Sequence, residues 1–466
     1  MKIGESIIQE LIKDKDVISA TIVGSYSEKR NIDNIGDIDV VVICKKLNGK
    51  IFQRLNNKIR KKKFKREILI NSTFGPVKHS VKKKLPVHLM IYDVKLHMEH
   101  VIKSPFTCYD WQRSKIYRGI SLDKIFPVKN LQLNDFFSAR RNSKEYLNDI
   151  KKNRISIRKY QFKGKNITTK KNFFKIDPRN RGEFVYHIIY FLVLNLYKFY
   201  VSKNIKASKK QFNNFFLKIT NKDQFLLKQF KILEKNKLNK KLIYDQKTIS
   251  LAFVFIKKYE NFLQKIKQKY SIISFVRHAK TSMNKKNVFL GVKNNPPIMN
   301  TKFKKISNLM YDLIITSKLK RAQMTTKFFN SKKISNSELI NEIDYGEADG
   351  MSLARFKVKY PNIIKSWNKK IDIRFPRGEN NSDVRKRALS FISFLNKFKD
   401  GKKILVISHG YFLKVIFCII LGIDIKKAHK INIEHLKIFQ FIKKGKLIIS
   451  NLNRKEQESI YSQSNG

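Results

Sequence analysis

The sequence predicts a multidomain α/β protein, and three observations carry that reading. In the second half, two apolar runs, Ser271–Val276 and Ile404–Ser408, are each followed closely by a histidine, His278 and His409. Near the N-terminus, short apolar runs flank Gly24-Ser25 and the pair Asp37 and Asp39. Between these regions, residues 126–268 are rich in Lys, Phe, Leu and Tyr, with apolar positions at helical spacing. A chain of 466 residues has room for two or three domains.

The elements follow in order. Residues 1–125 mix patterns, with a helix near 2–14 and strands near 18–24, 37–44 and 86–93, which predicts an α+β domain. Residues 126–268 contain one clear breaker cluster, Asp177–Gly182, and predict an α-helical middle domain. Residues 271–453 alternate strand-like and helical segments, as an α/β domain does. Residues 454–466 are polar and predict a disordered tail.

Composition narrows the function classes. Cys44, Cys108 and Cys418 are odd in number and far apart, which argues against a disulfide framework or a zinc site and for a reducing compartment. The first residues interleave charges with apolar positions and do not form a signal peptide. The stretch Phe184–Val201 is the most apolar, but His187, Asn195 and Lys198 interrupt it, so it reads as a buried helix. The expectation is a cytoplasmic protein that does not engage a membrane. The formal charge of +64 suggests a polyanionic partner such as nucleic acid. The lysines are spread along the whole chain, however, and Ile and Asn are abundant too, which is the drift of an AT-rich genome. The densest basic run is Lys58–Arg66.

The C-terminal residues suggest phosphoryl transfer to histidine. Arg277 and His278 end the first strand, and His409 ends the last core strand, so both rings fall at one edge of a parallel sheet, where open α/β folds bind ligands. Arg321 lies in Ser317–Ala322 after an apolar run, Glu342 opens Glu342–Gly350, and Arg377-Gly378-Glu379 precedes a helix. An imidazole can attack phosphorus in line. Two guanidiniums and a second imidazolium then neutralise the non-bridging oxygens, and a carboxylic acid protonates the leaving oxygen.

This ordered set resembles the histidine phosphatase superfamily, with its phosphoglycerate mutase-like fold, over nearly all of 271–453. The resemblance implies His278 as phosphate acceptor, Arg277, Arg321 and His409 as the phosphate pocket, and Glu342 as proton donor, with Asp349 a second candidate. It implies no cofactor, and a phosphorylated small molecule as substrate. Thr281, Asn284, Gly291, Pro297 and Thr325 also fit the pattern. Ala279 replaces the usual Gly, and Asn380 the usual Ser. The stretch Pro297–Ser317 is short, which trims the first helix. The domain also lacks room for the insertions that cap mutase sites, which favours a phosphatase.

At the other end, side chains two apart on a strand share a face, so Asp37 and Asp39 can present paired carboxylates. A Gly24-Ser25 turn lets backbone N–H groups approach a triphosphate. This resembles the polymerase-β-type nucleotidyltransferase superfamily over about the first hundred residues. The resemblance implies a nucleoside triphosphate at Gly24 and Ser25, and Mg²⁺ on Asp37 and Asp39. The third family carboxylate is missing: on Leu85–Asp93, His88 stands where the acid belongs, and Asp93 is five residues on. The sequence thus predicts a phosphomonoester hydrolase fused to a nucleotidyltransferase-like module. The alternatives are nucleotidyl transfer as the main activity, or a non-catalytic polyanion- or RNA-binding protein.

Overall fold

The computed structural model describes residues 3–29, 37–61, 68–74, 85–126, 131–164, 166–176, 178–202, 205, 207–236, 246–299, 302–369, 371–452, 455–457 and 459–460. The basic run beyond Lys61 and the chain from Tyr461 onward lie outside these residues. The chain divides into two compact units, Met1–Gln264 and Lys265–Gly466.

The first unit is built on a five-stranded mixed sheet. Its strands are β1 (Val17–Val23), β2 (Ile38–Cys44), β3 (Ile68–Asn71), β4 (Leu85–Asp93) and β5 (Tyr117–Gly119), in the order β3-β4-β2-β1-β5. β1 runs antiparallel to β2 and β5, while β4 runs parallel to β2 and β3. The near-continuous burial of Val40 to Cys44 explains why β2 reads as an unbroken apolar run, since both faces are covered. Helices Ile3–Ile12 and Gly49–Lys61 cover the sheet, burying Ile7, Ile8 and Leu11 from one, and Leu55 and Ile59 from the other.

Residues 126–268 are not a purely helical domain. Helices Leu133–Lys151, Pro178–Val201, Lys209–Ile219, Gln224–Asn236 and Gln246–Lys269 are present, but a long hairpin interrupts them. Its strands are β6 (Arg154–Lys163) and β7 (Asn166–Lys175). Lys163 pairs with Asn166, so the connection is two residues long, and Gly164 takes φ 57, the left-handed conformation that such tight hairpins need. The apolar positions change phase from Ile155 and Ile157 to Tyr160 and Phe162, and lysines between them further masked the strand. The hairpin is also why residue 125 is no structural boundary. Phe74 and Arg158 exchange both backbone hydrogen bonds, and the Tyr160 hydroxyl donates to the Ile91 carbonyl at 3.0 Å.

Among the described residues one helix, Arg181–Val201, is long and apolar enough to cross a membrane, and 61% of its apolar window is buried inside the structure. Its Lys198 side chain is fully buried and forms an ion pair with Asp110. Asp110 belongs to helix Pro105–Trp111, where Cys108, Tyr109 and Trp111 are buried. The helix Pro105–Trp111 is thus a packing element.

The second unit has a six-stranded sheet. Its strands are β8 (Ser271–Arg277), β10 (Leu313–Ser317), β12 (Ile334–Ser337), β13 (Lys403–Ser408), β14 (Ile438–Lys444) and β15 (Leu447–Ser450). A separate short parallel pair consists of β9 (Met310–Tyr311) and β11 (Asn330–Ser331). The order is β12-β10-β13-β8-β14-β15. The first four strands are mutually parallel, and β14 and β15 close the far edge antiparallel. Helices Asn381–Asn396 and Gly410–Leu421 cover one face, with Phe391, Phe412, Phe417 and Phe275 in the core. Asn380 caps the first of these through a reciprocal capping box with Asp383, so Asn does there what Ser does elsewhere.

The predicted disordered tail is corrected in part. Residues 455–457 and 459–460 are placed, Ile460 is fully buried in the core that also holds Leu452, and Gln457 donates to the Leu452 carbonyl at 3.1 Å. One apolar side chain with a core to enter outweighs the polar composition around it.

The Lys198 pair gives a test of the first unit. Asp110→Ala removes the carboxylate partner of a buried ammonium and should destabilise the unit by about 3–5 kcal/mol. Urea unfolding followed by Trp111 fluorescence, in a Trp367→Phe background, reads it. Adding Lys198→Met should recover much of the loss, and no recovery would show that the cost arises elsewhere.

Candidate active site

The register of the second sheet assembles the site. Arg277 pairs with Ser408 across β8 and β13, and Thr316 with Ile407 across β10 and β13. The carboxyl ends of three parallel strands therefore stop level, and His278 and His409 emerge side by side with ring centroids 5.0 Å apart. The His278 amide donates to the Ser408 carbonyl at 2.9 Å, which ties the two strand ends together.

Each imidazole is oriented by a partner. The Ala279 carbonyl accepts at 2.7 Å from His278 Nδ1, so Nδ1 carries the proton and Nε2 keeps its lone pair. Burial, then Arg321 and Arg277, hold the His278 pKa well below its ordinary value, so the ring is a neutral nucleophile. His409 is likewise held neutral by burial and by Arg321. Its Nδ1 accepts from Arg321 Nε at 3.2 Å, and its Nε2 donates to Ser317 Oγ at 2.8 Å, which itself donates to Asn341 at 2.7 Å. Ala279 is compatible with the turn because it does not take a positive φ; its amide donates to Thr325 Oγ1 at 3.0 Å.

Arg321 is fully buried on the short helix after β10. Beyond His409 it donates to the carbonyls of Gly291 at 2.8 Å, Asn294 at 3.1 Å and Leu290 at 3.4 Å. Burial brings its pKa down to about 10, so it is still a cation at neutral pH. Arg277 donates to the Ile433 carbonyl at 3.0 Å, and its Nε is buried with no hydrogen-bond partner. Its guanidinium packs against Gly410, where an added Cβ would stand 3.2 Å from it.

Glu342 is 7% exposed. Its carboxylate sits on the first turn of helix Gly410–Leu421, accepting from the amides of Tyr411 and Phe412 at 3.1 Å, and from its own neighbour Ile343 at 3.1 Å. The open end of that helix carries partial positive charge, which suits a carboxylate or a phosphate oxygen. Asp349 has a different task. It accepts from the amides of Gly291, Lys293 and Asn294 and so shapes the loop whose carbonyls clamp Arg321. Asp349 thereby anchors the loop.

The cleft encloses about 540 Å³, counting space open to solvent, and Arg277, His278, Glu342, Tyr345, Tyr411 and Lys414 are among its walls. Three side chains went unread in the sequence. His435 Nδ1 donates to the His278 carbonyl at 2.6 Å, with its ring 5.2 Å from the nucleophile; burial and Arg277 push its pKa down to about 4. Ser317 buttresses His409, and Lys414 faces the cleft one turn along from Gly410. The spacing from Gly410 was a readable signal for Lys414. For His435 there was none, because it arrives from a loop.

The N-terminal candidates also meet, in an unexpected way. Gly24 takes φ 71, and a Cβ there would collide with the Asp39 carboxylate; Ser25 begins the helix Ser25–Lys29. Asp37 directly precedes β2. In register, His88 lies beside Asp39 and Asp93 beside Cys44. His88 donates from Nδ1 to Asp39 at 3.1 Å and from Nε2 to the Thr73 carbonyl. Burial works against its charge, but Asp39, with the Thr73 carbonyl, raises its pKa overall. Asp93 caps helix Val94–Lys103, accepting from Leu96 N at 2.8 Å. No group of three or more potential metal ligands occurs among the described residues. The donor set therefore does not fit the Mg²⁺ that the resemblance implies, since an imidazole takes the third oxygen's place and already engages Asp39.

Burying His278 and His409 neutral links stability to pH. Their folded pKa values are depressed, so their contribution is full above about pH 6.5 and is lost as pH falls, by up to about 1.4 kcal/mol per pH unit for each. Urea unfolding of the second unit between pH 7 and 5.5 should show that loss, with a shallower slope for His278→Ala. Equal slopes would contradict a neutral His278.

Residues 273–447 match the Histidine phosphatase superfamily (branch 1). Among known proteins, a 2,3-bisphosphoglycerate-dependent phosphoglycerate mutase of Beijerinckia indica is 28% identical over 181 residues, 35% of this chain and 87% of the relative. Phosphoserine phosphatase 1 of Hydrogenobacter thermophilus is 27% identical over 164 residues, 33% of this chain and 77% of the relative. Among solved structures, the alpha-ribazole phosphatase of Shigella flexneri aligns with a TM-score of 0.35 at 18% identity, covering 39% of this chain and 96% of that one.

Proposed function

We propose, from the premise that the second unit carries a histidine phosphatase superfamily domain, that the chain hydrolyses small-molecule phosphomonoesters through a phosphohistidine on His278. The observation that carries this is the free lone pair on His278 Nε2, held by the Nδ1 bond to Ala279 and flanked by Arg277, Arg321 and His409. His278 Nε2 attacks phosphorus and the bond to the ester oxygen breaks. Glu342, as the carboxylic acid, gives that oxygen its proton. Water then attacks the phosphohistidine, Glu342 takes the proton back, and inorganic phosphate leaves. Arg277 and Arg321 offset the charge on the non-bridging oxygens, and the neutral His409 positions Arg321. Hydrolysis is favoured over mutase chemistry because the described chain between β8 and β10 contributes no capping helix beyond the single turn Ser282–Lys285.

The test is turnover of a phosphomonoester panel with acid-quench detection of phosphoprotein. His278→Ala should lose at least about a thousandfold in kcat and all phosphoprotein, and Glu342→Gln about a hundredfold or more in kcat for poor leaving groups. If the wild-type protein turns over no phosphomonoester, or His278→Ala matches it, the reading is lost.

A second reading concerns the first unit. The Gly24 turn against Asp39 supports a site that handles a nucleotide, and the His88–Asp39 pair supports binding without metal-dependent transfer. Mn²⁺ binding by electron paramagnetic resonance should be no tighter than millimolar in the wild-type protein and should tighten in His88→Asp. Tight wild-type binding that Asp39→Asn removes would restore metal-dependent nucleotidyl transfer.

A further inference from the structure

The β6–β7 hairpin carries a surface that neither candidate site uses. Antiparallel partners share a side of the hairpin, and neighbours along a strand alternate between sides. Tyr160, Phe162 and Ile167 lie on the inner side and pack on the core of the first unit. Lys159, Gln161 and Lys163 of β6 therefore turn outward with Asn166, Thr168 and Lys170 of β7, and all six are exposed. Lys159 stands directly opposite Lys170, two like charges about 5 Å apart at Cβ, an arrangement that costs a sheet stability. On the inner side the Asp149 carboxylate answers Arg154 and Lys171. Among the described residues no carboxylate pairs with Lys159, Lys163 or Lys170.

The outward side continues toward the base of the hairpin, where Ile155 and Ile157 are buried but Phe174 on β7 stays 42% exposed. Phe174 is four residues from Lys170, about 13 Å along the strand. The Phe173 ring on the inner side is covered by Arg154 and Lys171, whereas among the described residues no cation lies over Phe174.

We propose that this outward side binds single-stranded nucleic acid, with phosphates on Lys159, Lys163 and Lys170 and one unpaired base stacked on Phe174. Two features select that partner. Ammonium groups with amide and hydroxyl donors between them suit a row of phosphates and read no base edge. An uncovered aromatic ring suits a base that is free of a duplex. The site lies within the first unit and does not depend on phosphomonoester hydrolysis.

The experiment is fluorescence anisotropy of the full chain with a labelled mixed-sequence single strand and its duplex, each as RNA and as DNA, near physiological salt. The high formal charge gives every variant a background, so a matched control is included: Lys210→Gln, Lys228→Gln and Lys231→Gln together remove the same charge from exposed helix positions of the same unit. Lys159→Gln, Lys163→Gln and Lys170→Gln together should weaken single-strand binding about tenfold or more. They should also lower the slope of log affinity against log salt by about 2, the share of three phosphate contacts. The corresponding triple arginine variant keeps the charge and should retain binding. Phe174→Ala should weaken single-strand binding about fivefold or more and leave duplex binding unchanged. No single-strand binding, equal losses from the hairpin and control sets, or loss in the triple arginine variant would overturn the site. Tighter binding to duplex, or single-strand affinity indifferent to Phe174→Ala, would overturn the single-stranded partner. Equal hairpin-dependent affinity for phosphatidylserine vesicles would overturn nucleic acid as the partner.

Discussion

The second unit depends on a buried guanidinium, Arg321, that makes no direct ion pair among the described residues. Arg321 spends its donors on three loop carbonyls and on the imidazole of His409. Those bonds close a chain of dependence. Asp349 gathers the amides of the 291–294 loop, the loop turns its carbonyls onto Arg321, Arg321 fixes the His409 tautomer, and His409 rests on Ser317 and Asn341. Gly291 is required within that chain, because a Cβ there would stand 2.8 Å from the Ile343 carbonyl. A lysine could match the charge at 321 but not the fork geometry that reaches all four partners. The positive field so fixed, together with burial, keeps both imidazoles in the neutral form that phosphoryl transfer to nitrogen needs.

Much of this was legible because it is local or strand-borne. An apolar run ending in a histidine announces both the strand and the atom at its tip, and parallel pairing of β8 with β13 then brings His278 and His409 together. Arg321 and Glu342 were found as members of an ordered set, and the structure places both within it. What escaped was non-local or masked. His435 comes from a loop joined to β8 by a single bridge to Arg277, and nothing in its neighbours marks it. The β6–β7 hairpin was hidden because the apolar positions change phase along β6 and lysines lie between them. Ile460 was lost in a polar segment, where a single apolar residue carries no period.

The first unit shows a different economy of charge. Two carboxylates at the end of β2 repel each other unless a cation sits between or beside them. Here an imidazole from the neighbouring strand, at the position in register with Asp39, donates a hydrogen bond to it. Such a pair needs no ion from solution and leaves Gly24 and Ser25 free to shape the turn opposite. The same unit holds Lys198 and Asp110 as a buried pair inside an otherwise apolar helix packing. Asp110 is shared with Arg113, so that carboxylate answers two cations in a chain of formal charge +64.

That surface has a consequence at the β6–β7 ribbon. The ribbon is two strands wide, with Phe173 and Phe174 both more than 40% exposed and the outer side of β7 joined to no third strand. A bare edge of this length is a template on which a second molecule can add its own strand. Lys170, Lys171 and Lys175 are exposed on β7, and Arg154 and Lys171 lie over the Phe173 ring. Whatever mutational bias loaded the chain with lysine, here the excess acts as electrostatic insulation between copies. Its range is the Debye length, about 8 Å at physiological ionic strength and about 3 Å in molar salt, so concentrated salt removes that insulation.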